Sequence, residues 1–215
     1  MDVTTEKTKH WLLEVLGVDF DAHKHNYSHQ DIVFEIQTKT ELFFLKIAAN
    51  LQPECDNLRR VAPFLNVPVV ISFRTFDSLD HLLISGIPGK NLAQLVGEKP
   101  DVIIVQKFAR AVKTLHALDV NLVFPGKAAP GLVVLHGDMA LPNIMCRDAG
   151  PFSYIDLGQM TVGSADIDLA DAIWSLQRNL GPGFGELFLD EYGATPRTAK
   201  IEKALQFRHQ DSPPA

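Results

Sequence analysis

The sequence predicts an α+β fold with a strand-rich first part and a mostly helical second part. Short apolar runs rich in β-branched and aromatic residues recur between residues 32 and 85, as is typical of strands. Farther along the chain, residues 105–115 repeat apolar side chains at helical spacing. The sequence Gly-Ile-Pro-Gly at residues 86–89 separates the two parts, since glycine and proline commonly mark connections. A chain of this length could form one domain or two small lobes, and residues 86–89 are where a boundary between lobes would be expected.

Four strands are predicted in the first part. Residues 32–36 and 42–47 are β-rich runs close enough to form a hairpin. Residues 69–73 and 81–85 form a second pair of such runs, and residues 75–80 are expected to be the turn between them. The first part of the chain is therefore expected to contain a small antiparallel sheet.

Helices are predicted where apolar side chains recur at helical spacing. The first helix ends at Gly17, a second opens at Pro53, and a third reaches His116, which is expected to have a structural role at the helix end. Their apolar positions are, in order, Trp11, Leu12, Val15 and Leu16; Leu58, Val61, Ala62 and Leu65; and Val105, Phe108, Ala109, Val112 and Leu115.

Residues 135–159 hold two aspartates and an asparagine at the spacing of a phosphoryl-transfer site. Asp138 and Asn143 reproduce the Asp-x-x-x-x-Asn spacing of a kinase catalytic loop, in which aspartate is the base and asparagine holds a metal ion. A short predicted strand at residues 153–155 leads to Asp156, which is placed like the main magnesium ligand of a kinase. We therefore predict Asp138 as the catalytic residue, and Asn143 and Asp156 as ligands of Mg2+.

Each of these residues alone also fits a simpler interpretation. Aspartate and asparagine are common turn residues, and Pro142 lies directly before Asn143. The joint spacing with Asp156 favours phosphoryl transfer over two unrelated turns. His136, which precedes Asp138 by two residues, is expected to orient the loop through hydrogen bonds rather than to react.

Two segments of this region resemble the aminoglycoside phosphotransferases, in particular the enzymes that modify the 3'-hydroxyl of kanamycin-type antibiotics. They are residues 136–145, His-Gly-Asp-Met-Ala-Leu-Pro-Asn-Ile-Met, and residues 155–158, Ile-Asp-Leu-Gly. The similarity continues through residues 166–170 and 188–193. The resemblance implies a protein-kinase-like two-lobed fold. Residues 1–86 are the expected N-terminal lobe, a small antiparallel sheet that binds nucleotide, and residues 87–215 the mostly helical C-terminal lobe for catalysis and substrate binding.

The same resemblance implies an ATP-dependent O-phosphotransferase with an aminoglycoside antibiotic as its substrate. Because the broader family also includes kinases of choline, homoserine, macrolides and other small alcohols, the motif indicates the reaction more closely than the substrate. A kinase of another amino alcohol or sugar is therefore the alternative within the enzyme interpretation.

The nucleotide-binding residues implied by the resemblance begin with Lys46. It lies on a predicted strand like the lysine that contacts the α- and β-phosphates of ATP in kinases. Glu54, in the first turn of the helix opened by Pro53, is its expected partner. Simpler interpretations are a solvated strand lysine and a glutamate that complements the helix dipole.

Three more residues are expected near ATP. Ser28 lies in residues 25–31, the counterpart of the loop that covers the nucleotide, although this segment lacks the glycines of protein kinases. Ser85 and Ile87 lie at the connection between the lobes, where the backbone of kinase-like folds binds adenine.

Several departures from the family pattern point to a different class of function. Residues 119–132 are short where antibiotic-modifying relatives insert a helical section, and Gln159 stands where relatives commonly have arginine. The C-terminal residues also lack the acidic-aromatic ending that commonly contacts the antibiotic. A nucleotide-binding pseudoenzyme with a curtailed substrate pocket is therefore a second hypothesis.

One supporting feature of the family is retained. Asp168 keeps the position that usually braces the catalytic loop.

The charge and the cysteine content of the sequence limit the classes of partner and the cellular location that we expect. The formal net charge of −6 argues against nucleic-acid and anionic-membrane partners and suits a cationic substrate. Residues 148–177 contain five aspartates and no lysine or arginine, which suits Mg2+ and an amino sugar but also a solvated surface. Two cysteines without metal-ligand spacing, and an N-terminus unlike a signal peptide, predict a cytoplasmic protein. The sequence does not indicate an oligomeric state.

Overall fold

A computed structural model describes residues 5–25, 32–147, 150–194 and 201–202. The chain divides into two compact units. The first unit draws on residues 1–63 and 67–88, and the second on residues 64–66 and 89–215. The assignment of separate functions to residues 1–86 and 87–215 stays a prediction.

The first unit is built on a five-stranded antiparallel sheet with the strand order β1-β2-β3-β5-β4. The two predicted strand pairs are both present in it. The strands are β1 (Asp21–His25), β2 (Ile32–Gln37), β3 (Leu42–Ala48), β4 (Val70–Phe76) and β5 (Leu79–Ser85).

The turn predicted over residues 75–80 is wrong in its extent. Strand β4 continues through Phe76 and β5 begins at Leu79, so only Asp77 and Ser78 lie between the strands. Both residues have positive φ, 50° and 66°, as a two-residue type I′ hairpin requires. The sequence does not signal this short turn, because a glycine at its second position, the usual sign, is absent from Asp77-Ser78.

Two helices complete the first unit, α1 (Glu6–Leu16) and α2 (Gln52–Val61). Helix α1 starts where the Thr5 side chain accepts the Thr8 N–H, and it ends at Gly17, whose φ of 66° is left-handed. Its apolar face joins the sheet in one core, as the helical spacing predicted. That core consists of Trp11, Leu12, Phe20, Ala22, Phe34, Ile36, Phe43, Leu45, Ile47 and Leu83.

The second unit is mostly helical, with short strands that carry loops. Its α-helices are α3 (Asp101–His116), α4 (Val120–Val123), α5 (Asp166–Leu180) and α6 (Gly185–Tyr192). Its strands are β6 (Lys90–Asn91), β7 (Leu132–Leu135), β8 (Ile144–Cys146), β9 (Ser153–Tyr154) and β10 (Thr161–Ser164). Single 3-10 turns lie at Ala93–Leu95 and Leu141–Asn143.

Helices α3 and α6 are joined through an aromatic core. The rings of Phe108 and Phe188 lie 5.6 Å apart between centroids, and both side chains are fully buried. Nearer the surface, the Arg110 guanidinium contacts the Glu191 carboxylate at 3.0 Å. The predicted helix ending at His116 is confirmed as α3, and the connection that follows it contains one helical turn, α4.

Among the described residues, no helix is both long enough and apolar enough to cross a bilayer.

Candidate active site

Two loops of the second unit each connect a strand of one antiparallel pair to a strand of another. The first, residues 136–143, leads from β7 to β8, and the second, residues 155–160, leads from β9 to β10. Leu135 at the end of β7 pairs with Thr161 at the start of β10. The start of β8 likewise pairs with the end of β9. Because both pairs are antiparallel, the two loops are brought side by side.

The closest approach of the two loops requires glycine at position 137. Gly137 has a φ of 83°, which L side chains rarely adopt. A Cβ atom built on this residue would also collide with the backbone oxygen of Gln159. The residue before Asp138 is thus fixed both by its own conformation and by the neighbouring loop.

Asp168, in the first turn of α5, holds the first loop from beneath. Its side chain is fully buried. One carboxylate oxygen, Oδ2, accepts the His136 N–H at 2.8 Å, and Oδ1 accepts the Gly137 N–H at 3.0 Å. Oδ2 also lies 3.1 Å from Nε2 of His116 at the end of α3. This is the bracing position that the resemblance implied for Asp168.

The His136 ring ties the first loop to the second. Its Nε2 lies 3.1 Å from the carbonyl oxygen of Ile155, so Nε2 carries the proton and donates it. Burial lowers the pKa of His136, while the carboxylates of Asp168, Asp138 and Asp156 act in the opposite direction. The loop-orienting role predicted for His136 therefore matches its contacts.

Asp138 and Asn143 interact directly across the first loop. The Asn143 amide donates from Nδ2 to the backbone oxygen of Asp138 at 2.9 Å and to its carboxylate at 3.2 Å. These bonds fix which end of the amide faces Asp138, and they direct Oδ1 of Asn143 elsewhere. Asn143 is buried and Asp138 is half-buried.

Asp156 lies on the second loop in an unusual backbone conformation. Its φ is 61°, a region that aspartate and asparagine tolerate better than most side chains, and its carboxylate is exposed. The Ile155 N–H donates to the backbone oxygen of Asn143 at 3.1 Å. This bond sets Asp156 beside Asn143 in the fold, although the two residues are distant in the sequence.

The oxygens of this site suit magnesium better than a metal that needs many protein ligands. Asn143 Oδ1 and the Asp156 carboxylate are hard oxygen donors, and Mg2+ usually takes only one or two carboxylates together with water and phosphate oxygens. In the described part of the chain, no group of three or more His, Cys, Asp or Glu side chains could hold a metal ion by itself. A metal bound together with a phosphate ligand is consistent with both observations.

The first unit contains the ion pair that the sequence suggested. Lys46 Nζ on β3 lies 2.6 Å from Oε1 of Glu54 on α2, and the two side chains are 12% and 4% exposed. The start of α2 is held by Asp80 of β5, whose carboxylate accepts the Leu51 N–H at 3.0 Å. Strand β3 pairs with β5, so one sheet positions both members of the ion pair.

Two of the three remaining predicted nucleotide contacts, Ser85 and Ile87, lie among the described residues. Ser85 ends β5, where its backbone N–H donates to the Val69 oxygen and its hydroxyl accepts the Val69 N–H, both at 2.9 Å. Ile87 follows it and is half-buried. Ser28 lies outside the described residues.

Sequence reasoning missed one participant of the site, Tyr192 at the end of α6. Its hydroxyl lies 2.9 Å from Nδ1 of His116, the histidine that contacts Asp168. His116 itself was expected to be structural, without a partner. No local pattern signals this contact, because 76 positions separate the two residues.

Part of the chain that holds this arrangement is similar to a known protein family. The model of the phosphotransferase enzyme family matches residues 125–201, which include both loops and helices α5 and α6. The matched region covers about a third of the chain and includes Asp138, Asn143, Asp156 and Asp168. The resemblance drawn from residues 136–145 and 155–158 is therefore confirmed.

Individual members of the family extend the match beyond this region. An aminoglycoside 3'-phosphotransferase of Niallia circulans is 24% identical, over 87% of this chain and 92% of the relative. A crystal structure of an aminoglycoside-3'-phosphotransferase of type VIII superposes with a TM-score of 0.73 at 18% identity, covering 89% of this chain and 93% of the other.

A second solved structure covers almost the whole chain. It is aminoglycoside phosphotransferase APH(3'')-Id from Streptomyces rimosus in complex with ADP and streptomycin. Its TM-score is 0.73 at 19% identity, over 97% of this chain and 98% of that one. The predicted α+β, kinase-like fold class is confirmed.

The buried His136 should make stability depend on pH. Its pKa is lowered in the folded protein, so the unfolded chain binds a proton first as the pH falls through about 6.5. Stability should therefore decrease on acidification below that value. His136→Gln, whose amide can still donate to Ile155, should show a weaker decrease in urea unfolding measured at pH 7.5 and 5.5.

In His136→Gln, the loss of stability on acidification should be smaller than in the parent protein but still present, because His81 in the first unit is also buried and has a lowered pKa. An equal loss of stability in His136→Gln and the parent protein would show that His136 does not titrate as described.

Proposed function

We propose that this protein is an ATP-dependent O-kinase that phosphorylates an aminoglycoside antibiotic and so confers resistance to it. Relatives with this named activity support the proposal, including the 3'-phosphotransferase of Niallia circulans. The structural neighbour that binds ADP and streptomycin supports the same nucleotide and substrate class. The 3'-hydroxyl is the proposed acceptor, since two of the relatives bear that specificity in their names.

The observation that carries the proposal is the way Asp138 is held. The preceding residues His136 and Gly137 donate their backbone N–H groups to the buried Asp168, and Asn143 donates to Asp138 from the other side. A carboxylate fixed between two such supports is prepared to receive a substrate hydroxyl in one orientation. A turn without chemical function has no need of this arrangement.

In the proposed reaction, the Asp138 carboxylate orients the acceptor hydroxyl and accepts its proton. The hydroxyl oxygen forms a bond to the γ-phosphorus of ATP as the bond from that phosphorus to the bridging oxygen of ADP breaks. The products are a phosphate ester and ADP. No phosphoenzyme is expected, because positioning and charge neutralisation supply the catalysis.

Asn143 and Asp156 are the proposed ligands of Mg2+. These two residues would hold the ion, which would supply positive charge to offset that of the ATP phosphates during transfer. The Nδ2 bonds of Asn143 to Asp138 support this role, since they leave Oδ1 as the oxygen that can face a cation. Asp156 is an exposed residue whose carboxylate would belong to the same ligand set.

Lys46 is the proposed contact to the α- and β-phosphates, and Glu54 orients it. The nearly buried ion pair supports this assignment over a solvated strand lysine, which would not be held at 2.6 Å. Ser85 and Ile87 are proposed to contact adenine, and Ser28 to lie against the phosphates. The N–H of Ser85 is already used within the sheet, so its contact would involve another group.

The substrate is proposed to be cationic and of low molecular weight. The formal charge of −6 and the run of residues 148–177 without lysine or arginine favour attraction of an amino sugar. The same charge disfavours nucleic acid and anionic membrane as partners, and a cytoplasmic location is proposed.

Two aspartate variants separate catalysis from metal binding. Asp138→Asn should lower transfer by on the order of 10²–10⁴-fold while Mg-ATP affinity stays the same, because only the proton acceptor is lost. Asp156→Asn tolerates the same left-handed backbone but loses a charged ligand, so it should weaken nucleotide binding in the presence of Mg2+. Mass spectrometry of an aminoglycoside panel and calorimetry with and without Mg2+ measure the two effects.

If Asp138→Asn transferred phosphate at the wild-type rate, this result would contradict the role of Asp138 as the base. If the wild type binds Mg-ATP but modifies none of the aminoglycosides, extending the panel to macrolides and simple amino alcohols would test the other substrates. Failure of the wild type to bind nucleotide would contradict the kinase proposal itself.

Substitutions of the ion pair in the first unit should affect nucleotide use. Lys46→Met and Glu54→Gln should each raise the KM for ATP by about tenfold, roughly the loss of one hydrogen bond to a charged group. Lys7→Gln is the matched control, since Lys7 forms an exposed ion pair with Asp77 in the same unit at 2.8 Å. A normal KM for ATP in Glu54→Gln would assign the pair a purely structural role.

A further inference from the structure

A chain of hydrogen bonds leads from the last residue of α6 to the catalytic loop. The Tyr192 hydroxyl contacts Nδ1 of His116 at 2.9 Å, and Nε2 of His116 contacts the Asp168 carboxylate at 3.1 Å. Asp168 in turn accepts the backbone N–H groups of His136 and Gly137. Helices α6, α3 and α5 are thus linked, in that order, to the loop that carries Asp138.

The direction of each bond follows from the groups involved. The Asp168 carboxylate only accepts, so Nε2 of His116 carries a proton and donates it. The other ring nitrogen, Nδ1, lies within hydrogen-bond distance of the Tyr192 hydroxyl, which donates to Nδ1 when that nitrogen carries no proton. Burial raises the pKa of Tyr192, as do Asp168 and Asp166, so the hydroxyl remains a donor at neutral pH.

We propose that Tyr192 and His116 are positioning residues that set the orientation of Asp138 through Asp168. This inference rests on the proposed function of Asp138 as the base. Two of the three hydrogen bonds to Asp168 come from the backbone of the catalytic loop, and the third comes from His116. The third bond fixes the rotation of the carboxylate, and Tyr192 fixes the ring that makes it.

An alternative explanation is that Tyr192 and His116 serve only to hold α6 against α3. The structure offers a control that separates this explanation from the positioning role. Helices α3 and α6 are also held by the Phe108–Phe188 ring contact and by the exposed ion pair of Arg110 with Glu191. The Arg110–Glu191 contact lies one residue from Tyr192 and links the same two helices, but it makes no bond to Asp168. Arg110→Gln is therefore the matched control.

The test compares four variants in phosphate transfer. Tyr192→Phe keeps the edge-on ring contact with His116 and removes only the hydroxyl, so kcat should fall about threefold to tenfold with the KM for ATP unchanged. His116→Leu should lower kcat about tenfold to a hundredfold, because the bond to a charged group is lost. His116→Gln, which keeps a donor, should recover most of this loss, and Arg110→Gln should match the wild type.

Amide hydrogen exchange followed by NMR provides a readout that does not depend on transfer. Tyr192→Phe should accelerate exchange of the His136 and Gly137 amides, which donate to Asp168, and leave the amide of Tyr154, which donates to Asn66, unchanged. If the wild type shows no transfer, the proposed function fails, while this measurement still decides the positioning role.

Three results would overturn the inference. One is wild-type kcat and wild-type amide exchange in Tyr192→Phe. Another is an equal loss of kcat in Arg110→Gln, which would assign the effect to helix docking. The last is a loss in His116→Gln as large as in His116→Leu. If His116→Leu does not fold, Tyr192→Phe and His116→Gln still decide between these results.

Discussion

One buried carboxylate, that of Asp168, is the constraint on which the catalytic region depends. A carboxylate without solvent is costly unless its oxygens accept hydrogen bonds. Asp168 meets this condition only when the first loop and the end of α3 are both in place, because its donors come from His136, Gly137 and His116. The fold of the second unit and the position of the proposed base are therefore parts of one arrangement.

The second loop is held beside the first by close contacts that restrict its position. Gly137 approaches the backbone of Gln159 too closely for any side chain, and the His136 ring donates to Ile155. These contacts lie directly beside Asp138 and Asp156, so the two carboxylates are set by the same loop packing. Gln159 contributes to it through its backbone, which explains how this part of the geometry persists without the arginine common in relatives.

Features encoded by neighbouring residues could be predicted from the sequence. The hairpin of β2 and β3, the end of α1 at Gly17 and the spacing of Asp138 and Asn143 all depend on short-range patterns. The turn at Asp77 and Ser78 could not be, because its left-handed residues are not glycine. The His116–Tyr192 contact was equally hidden, since only the packing of α3 on α6 brings together residues so far apart in sequence.

The most direct test of this account is the rate of phosphate transfer by Asp168→Asn, measured together with its affinity for Mg-ATP. The amide would present a donor where the loop requires an acceptor, so the account predicts a loss of transfer of about a hundredfold from the displaced base. Affinity for Mg-ATP should fall less than transfer, because the proposed phosphate contacts Lys46 and Glu54 belong to the other unit and only the Mg2+ ligands lie on the displaced loops. Transfer at the wild-type rate by a folded Asp168→Asn protein would contradict the account.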